Sequence, residues 1–183
     1  GPVTRYDAST FATNFAAEVR GFDLARAIGD EAQRHEGAGQ STHFALAAAA
    51  RAWAQAGLGP GPGSGPERVD PRRIGIYLGA GEGPPDFENF SAANIAGWNA
   101  DTREVDGRAW AKVAYERLSK VRELEQEPNM TVGRLARAFG CRGPAFNCMT
   151  ACAASTQAVG EASEQIRRGD ADVMLAGGAH SMI

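Results

Sequence analysis

The stretch FNCMTACAASTQAVGEASEQIRRGDADVMLAGG, residues 146–178, contains the clearest succession of secondary structure in the chain. The short apolar segment Pro144 to Met149 predicts a strand, and Cys152 to Arg168 predicts a helix. Gly169-Asp170 predicts a turn, and Asp172 to Ala176 predicts a second strand that runs up to a pair of glycines. A strand, a helix and a strand in this order form a βαβ unit. The sequence therefore predicts an α/β fold with a largely parallel sheet.

Upstream of this unit, the pattern predicts a helix, a loop and a further strand. Ser41 to Gly57 predicts a helix, with Leu46 and Trp53 on one apolar stripe and the final glycine as its terminator. Residues 58–71 alternate glycine with proline, which disfavours helix and strand and predicts a flexible surface loop. Arg73 to Leu78 then predicts a strand buried on both faces of a parallel sheet.

Two helices are predicted between that strand and the βαβ unit. The first is a charged helix from about Arg108 to Glu125, and the second runs from about Met130 to Phe139 and ends at Gly140. The charges of the first helix are mixed in sign, which predicts a solvated helical face. These charged residues are Glu116, Arg117, Lys120, Arg122 and Glu125.

The composition indicates one soluble globular domain. The chain has 183 residues, of which 43% are hydrophobic and 22% charged, and a formal net charge of -3. This balance offers no broadly basic surface, so we do not expect a nucleic-acid partner. There is no run of roughly 18 apolar residues that would predict a membrane span, and the first residues do not resemble a secretory signal. We therefore expect a cytoplasmic protein.

The cysteines favour a reactive thiol over a disulfide framework or a metal site. Cys141, Cys148 and Cys152 lie within twelve residues, and an odd, clustered set is not typical of a secreted disulfide-rich domain. Their spacing matches no common zinc motif, and the nearest histidine downstream is the distant His180. We predict no bound metal.

Cys152 is the candidate nucleophile because the predicted strand delivers it to the first turn of the predicted helix. Unpaired N–H groups and the helix dipole favour a thiolate there, and small neighbours leave room for a thioester carbonyl near the same donors. A small buried core cysteine is the alternative interpretation of this position. We expect the helix to pack on the sheet through Ser155, Val159, Ala162 and Ile166.

Several motifs, in order, resemble the β-ketoacyl synthases of the thiolase-like superfamily. They are RGPAF, TACAAST, GEA and GDADVMLAGG, and the resemblance extends back through NMTVGRLARAFGCRG, RRIGIYLGAGEG and YDASTFATNFAAEVRGFDL. The block TACAASTQAVGEA is closer to the discrete fatty-acid and type II synthases than to the DTACSSSL pattern of modular polyketide synthases. The resemblance implies a thiolase-like fold, of which residues 1–183 form most of the N-terminal half.

The resemblance also implies a mechanism. Cys152 would accept an acyl group from a phosphopantetheine thioester on acyl carrier protein, and a malonyl-type extender would then decarboxylate and condense with it. This chemistry requires no metal or redox cofactor. Two alternatives stay open: a non-catalytic synthase-like partner subunit, and a thiolase-like enzyme that uses acyl-CoA. A cysteine at the nucleophile position favours catalysis.

Five residues near the implied acyl pocket are candidates for substrate binding: Gly81, Glu82, Thr150, Ala151 and Ala153. The glycine-rich loop that follows the strand could also suggest a dinucleotide-binding site. The match to that fingerprint is poor, because Pro84 stands where glycine or alanine is required. Many elongating synthases place an apolar gate near the position of Glu82. The carboxylate there argues against a plain long-chain fatty acyl substrate.

The resemblance implies that this part of the fold needs partners. The family's two catalytic histidines and its lysine lie in the C-terminal half of the fold, which the same or a separate chain would supply, and the family's first strand would precede Pro2. His35, His43 and His180 fall outside those histidine motifs. We expect a homodimer or a synthase-like heterodimer in which the strand Pro144 to Met149 pairs with a second subunit.

Overall fold

The computed structural model describes residues 1–81, 83 and 86–181. The elements below are those of this part of the chain. The α-helices are α1 (Leu24–Ile28), α2 (Gln40–Gln55), α3 (Phe87–Gly97), α4 (Gly107–Arg117), α5 (Lys120–Glu125), α6 (Asn129–Phe139) and α7 (Ala154–Arg167). The strands are β1 (Ile74–Ala80), β2 (Trp98–Asn99), β3 (Glu104–Val105), β4 (Ala145–Cys148) and β5 (Val173–Ala179).

The central sheet is parallel and has the strand order β4-β1-β5. Its register places Ile76 of β1 opposite Ala145 of β4 and Leu175 of β5. Helix α7 joins β4 to β5 and crosses β1, so the predicted βαβ unit is confirmed with a third strand between its two strands. The predicted α/β class is confirmed with it.

Helices cover both faces of the sheet, and side chains of β1 pack against the helices on each face. Ile74 and Ile76 face α2 and α6, where they join a core with Trp53 and Phe139, whose rings lie 5.0 Å apart. Tyr77, on the opposite face, packs against the cluster that α7 forms. This alternation follows from the period of two along a strand. The prediction that the strand is buried on both faces is therefore confirmed.

Helix α7 contacts the sheet through a stripe of small residues, and the predicted stripe is correct only in part. The buried residues of the helix are Ala154, Ala158, Ala162 and Gln165. Ala162 is buried as expected, and Ser155 lies against β5, since a Cβ atom at Gly178 would be 2.7 Å from the Cβ of Ser155. The prediction is wrong for Val159 and Ile166, which are 51% and 44% exposed. The reason is the short distance between helix and strand. A Cβ atom at Gly79 would lie 2.3 Å from the carbonyl carbon of Ala154.

Several element boundaries differ from the prediction. β1 and β5 each continue to an alanine beyond the predicted end, so the glycine pair near the end of β5 lies within the strand. Helix α6 ends as expected at Gly140, whose φ of 67° is left-handed. Residues 58–70 contain neither helix nor strand. Within this loop the N–H of Gly63 donates a hydrogen bond of 2.7 Å to the carbonyl of Ala138 in α6. The flexibility of the loop stays a prediction.

The predicted charged helix is two helices, and α3 before it was not predicted. Helix α4 ends at Leu118, whose ψ of 129° is extended. Ser119 then begins α5, because its hydroxyl accepts a hydrogen bond from the N–H of Arg122. Serine is a strong N-cap residue, and its position inside the charged run was the available signal for this break.

One of the five charged residues assigned to a solvated face is buried instead. Glu125 pairs with Arg134 of α6, and both side chains are largely buried. Arg122 lies 3.1 Å from the carboxylate of Asp86, which is 1% exposed, but its own side chain is 63% exposed. The interpretation of a solvated face is therefore wrong at Glu125, because α5 packs against α6.

His35 is buried, and its surroundings disfavour the protonated imidazole. Its side chain is 2% exposed, and neither ring nitrogen has a hydrogen-bond partner among the residues that the structure describes. Burial, followed by the positive charge of Arg134, lowers the pKa of His35; Glu31, 3.8 Å from the ring, opposes this shift, while His43 and Arg137 reinforce it. The imidazole of His35 therefore has a structural role.

Among the described residues, the structure contains no helix that is both long enough and apolar enough to cross a membrane.

The close contact at Gly79 gives the first testable prediction. We expect Gly79→Ala to lower the free energy of unfolding by roughly 2–3 kcal/mol, because the new Cβ would displace the start of α7. Gly133→Ala is the matched control: it lies exposed within α6, a Cβ there meets no neighbour within 4 Å, and we expect stabilisation by roughly 0.5–1 kcal/mol. Urea unfolding of both variants measures the difference. If both variants lost a similar amount of unfolding free energy, the close contact between Gly79 and the start of α7 would not be the cause.

The buried imidazole predicts an acid-sensitive stability. Since the pKa of His35 is lowered on folding, its contribution is complete above the ordinary histidine pKa of about 6.5 and is lost as the pH falls below it. The free energy of unfolding should therefore fall between about pH 7.5 and pH 5. His35→Leu should show a shallower fall, because it cannot take up the proton. Identical pH profiles of the two proteins in urea unfolding would exclude this role.

Candidate active site

An open cleft lies where the carboxyl ends of β1 and β5 meet the start of α7. Its volume is about 520 Å³. In parallel sheets the carboxyl ends of the strands are where ligands bind. The residues that line the cleft are Gly79, Ala80, Gly81, Met149, Ala151, Cys152, Ala154, Ser155, Gly178, Ala179 and His180.

Cys152 stands at the mouth of this cleft on a strained turn. The turn is a single 3-10 turn, Ala151–Ala153, which separates β4 from α7, so the thiol lies just before the helix rather than in its first α-helical turn as predicted. Ala151 has a φ of 51°, a left-handed conformation that is uncommon for residues other than glycine. Cys152, the next residue, is exposed.

No side chain caps the start of α7. Its N-cap residue is Ala153, which has no side-chain hydrogen-bonding group, and the helix runs for 14 residues. The preceding turn uses two of the donors here, since the N–H of Ala153 donates to the carbonyl of Thr150 and the N–H of Ala154 to that of Ala151. The next N–H groups of the helix have no partner within it, and the dipole makes this end favourable for negative charge. The region beside Cys152 can therefore stabilise an oxyanion.

The three thiols differ sharply in their surroundings. Cys141 and Cys148 are buried, and Cys152 is exposed. Burial raises the pKa of Cys141 to about 11. The thiol of Cys148 donates a hydrogen bond of 3.2 Å to the carbonyl of Ala154. Neither buried thiol is placed to react with a substrate in the cleft. The alternative interpretation of a buried core cysteine fits these two residues and does not fit Cys152.

The structure brings some of the predicted substrate-binding residues together and leaves others apart. Gly81 and Ala151 line the cleft with Cys152. Thr150 and Ala153 are not among the lining residues, and the Thr150 hydroxyl donates a hydrogen bond of 2.8 Å to the side chain of Gln157. Glu82 lies outside the described residues. The substrate-binding roles of these residues stay predictions.

The sequence did not identify several residues that line the cleft, although each lies near the end of a predicted strand or close to Cys152 along the chain. Gly79 and Gly178 lie near the carboxyl ends of their strands, and Met149 and Ser155 flank the cysteine turn within a few residues. His180, which falls outside the histidine motifs of the family, lines the same cleft. These residues converge because of the register between the strands. Hydrophobic periodicity does not reveal that register, so the sequence alone does not bring them together.

The difference in thiol burial predicts selective alkylation. Brief treatment of the full-length protein with limiting iodoacetamide near neutral pH should place the first label on Cys152, because it alone of the three is exposed. Peptide mass spectrometry locates the label. Cys148→Ala serves as the control and should leave the rate of labelling unchanged, whereas Cys152→Ala should remove the fast phase. Faster labelling of Cys141 or Cys148 would contradict the assignment.

Comparison with known proteins places this site in a family. The model of the β-ketoacyl synthase N-terminal domain matches residues 3–183. A 3-oxoacyl-[acyl-carrier-protein] synthase 2 of Coxiella burnetii is 29% identical over 97% of this chain and 37% of its own length. The enzyme of the same name from Staphylococcus aureus is 28% identical over 99% of this chain and 39% of its own length. The chain thus spans less than two fifths of these curated relatives.

Solved structures share the fold. A β-ketoacyl synthase from Burkholderia phymatum superimposes with a TM-score of 0.66 at 21% identity, covering 93% of this chain and 37% of that chain. A chain of a type II PKS acyl-carrier protein in complex with its ketosynthase also gives a TM-score of 0.66, at 22% identity, covering 90% of this chain and 41% of that chain. The expected thiolase-like fold is confirmed. Because the family model extends over nearly all of the chain, this protein belongs to the β-ketoacyl synthase family, whose N-terminal domain these residues form.

Proposed function

We propose that the protein is a β-ketoacyl-acyl carrier protein synthase in which Cys152 is the acyl-accepting nucleophile. One observation carries the proposal: within a member of this family, an exposed cysteine stands on a strained turn at the uncapped start of α7 and opens into a cleft of about 520 Å³. Such a site exposes a thiolate and N–H donors to the same incoming carbonyl.

The first step is acyl transfer. The Cys152 thiolate attacks the carbonyl carbon of an acyl thioester and forms a C–S bond, while the carbonyl oxygen takes the negative charge. N–H groups at the start of α7 stabilise that charge. The oxyanion then collapses, the original C–S bond breaks, and the phosphopantetheine thiolate leaves and takes a proton. Atoms and electrons balance, and the enzyme holds a thioester at Cys152.

The second step is a decarboxylative condensation. A malonyl-type thioester loses carbon dioxide, and the electron pair of the broken C–C bond becomes a carbanion next to the thioester. The carbanion attacks the acyl carbonyl on Cys152, a C–C bond forms, and the cysteine thiolate leaves. The product is a β-ketoacyl thioester two carbons longer than the acyl group. Loss of carbon dioxide supplies the carbanion, so the step consumes no oxidant or reductant.

The partners follow from the same proposal. Acyl carrier protein delivers both substrates on phosphopantetheine, as the names of the relatives and of the ketosynthase complex suggest. The remainder of the synthase fold supplies the groups that promote decarboxylation. A second subunit pairs with β4, which has only β1 as a neighbour in the described sheet and exposes Phe146. A non-catalytic partner subunit would have no use for an exposed cysteine in this cleft.

The proposal predicts a covalent acyl-enzyme at Cys152. The full-length protein, incubated with an acyl carrier protein thioester in the absence of extender, should gain the mass of the acyl group on the peptide that contains Cys152. Cys152→Ala should give no adduct and should lower condensation with malonyl carrier protein roughly a thousandfold or more, because the nucleophile is lost.

Cys141→Ala is the control for this experiment, since Cys141 is buried away from the cleft, and it should retain both activities. Intact-protein mass spectrometry follows the adduct, and β-ketoacyl product formation follows condensation. An acyl adduct on another residue, or condensation by Cys152→Ala at the rate of the unaltered protein, would disprove the role of Cys152.

A further inference from the structure

Two serines of α7 use their hydroxyl groups differently. The hydroxyl of Ser163 donates a hydrogen bond of 2.9 Å to the carbonyl of Val159, one turn earlier in the helix. A bond of this kind satisfies the side chain of a serine inside a helix. The hydroxyl of Ser155, in the first turn of α7, has no hydrogen-bond partner among the residues that the structure describes. Ser155 lines the cleft, so its donor is available there.

The chain between Cys152 and Ser155 is helical. Cys152 belongs to the 3-10 turn that precedes α7, and the two alanines that follow it have right-handed φ angles of -85° and -55°. In such a backbone, residues three apart lie on the same face, with Cβ atoms roughly 5–6 Å apart. Because both residues line the same cleft, the shared face is the one that the cleft exposes. At this separation a serine hydroxyl can reach a cysteine sulfur.

The sheet fixes the position of Ser155 from two strands. A Cβ atom at Gly178 of β5 would lie 2.7 Å from the Cβ of Ser155 and 2.9 Å from its hydroxyl oxygen. A Cβ atom at Gly79 of β1 would lie 2.5 Å from the backbone nitrogen of Ser155. The serine is thus seated against glycines of both strands. Its place beside the thiol does not depend on a bound ligand, which is the condition for a preorganised donor.

The chemistry of the pair favours the charged form of the sulfur. A serine hydroxyl donates one hydrogen bond, and a thiolate is a stronger acceptor than a thiol. A hydrogen bond to the charged form of an acid favours that form. The thiolate is the nucleophile in attack on a thioester, so a donor next to Cys152 increases the reactive fraction of the sulfur at neutral pH. Both residues are exposed, so the effect is modest.

We infer that Ser155 takes part in acyl transfer by donating a hydrogen bond from its hydroxyl to the sulfur of Cys152 in the thiolate form. This inference rests on the proposed function of Cys152. When the C–S bond to the acyl group forms, the negative charge passes from the sulfur to the carbonyl oxygen and the hydrogen bond weakens. When the sulfur leaves in the condensation step, the thiolate returns and the same hydrogen bond forms again.

The test follows the reaction of Cys152 with the neutral disulfide 4,4′-dithiodipyridine. The thiolate attacks one sulfur of the probe, the S–S bond breaks, pyridinethiolate leaves, and the protein retains a mixed disulfide. Absorbance of the released thiol gives the rate of the fast phase for the full-length protein between about pH 6 and about pH 10. Peptide mass spectrometry assigns that phase to Cys152.

Ser155→Ala should change the pH profile in a way that steric damage cannot. The pH of half-maximal rate should rise by about one unit, because the thiolate loses a hydrogen bond. A less stabilised thiolate is also intrinsically more nucleophilic. The rate should therefore fall about threefold at pH 7 and rise about threefold on the alkaline plateau, so that the two profiles cross.

Ser163→Ala is the matched control, since it removes a hydroxyl from the same helix outside the cleft, and its profile should coincide with that of the unaltered protein. The surrounding elements carry other titratable groups, which are the same in all three proteins, so differences between the profiles report the serines. They are His180 after β5, Cys148 of β4, Tyr77 of β1 and Glu161 of α7.

The outcomes separate this inference from the proposal on which it rests. A profile of Ser155→Ala that matches the unaltered protein, or that is lowered by the same factor at every pH, refutes the hydrogen bond. Failure of the unaltered protein to form an acyl adduct at Cys152 with carrier-bound substrates refutes the proposed function. The disulfide reaction requires no acyl transfer, so it decides the role of Ser155 toward the thiolate in either case.

Discussion

The first turn of α7 lies directly on the backbone of β1, and the position of the exposed thiol of Cys152 depends on this contact. Gly79 has no side chain to hold the helix off, and the helix presents Ala154 and Ala158 to the sheet. Such a short approach forces the chain between β4 and α7 to turn sharply, which accounts for the positive φ of Ala151. The strain at this residue is compensated by the packing beside it, and the thiol of Cys152 is left facing the cleft.

Two ion pairs help to fix the layer on the other side of the sheet. Asp86 is almost fully buried beneath the exposed guanidinium of Arg122, and Glu125 pairs with Arg134 of α6, where both side chains are largely buried. Removing one partner of the Glu125–Arg134 pair costs roughly 3–5 kcal/mol, because the other charge is left desolvated. These pairs hold the short helix α5 and the start of α3 against α6. Charge in this segment is therefore part of the fold, and its role in binding a carrier protein has no support in these contacts.

The sequence was sufficient for features that depend on strong local signals. Alternation at Ile74 and Ile76 located the central strand, Gly140 marked a helix end, and the position of Cys152 between a strand and a helix was predicted to within one turn. The sequence did not show how closely the helices approach the sheet or how neighbouring strands align. Alanines carry little weight in a hydrophobic pattern, so the stripe that includes Ala158 was overlooked in favour of larger residues, and the convergence of His180 with Cys152 depends on strand register.

The residues wrongly assigned to the sheet side of α7 have an explanation of their own. Val159 and Ile166 are about half exposed, so the helix carries apolar residues outside its buried stripe. Gln157 and Ser163 are exposed as well, so these two apolar residues form a mixed surface with polar neighbours. Since the relatives are more than twice as long as this chain, further protein over that outer face is consistent with the pattern. Size-weighted patterning therefore selected two residues outside the buried stripe of α7, whereas the small residues at Gly79 and Ala154 set how closely the helix approaches the sheet beside the cleft.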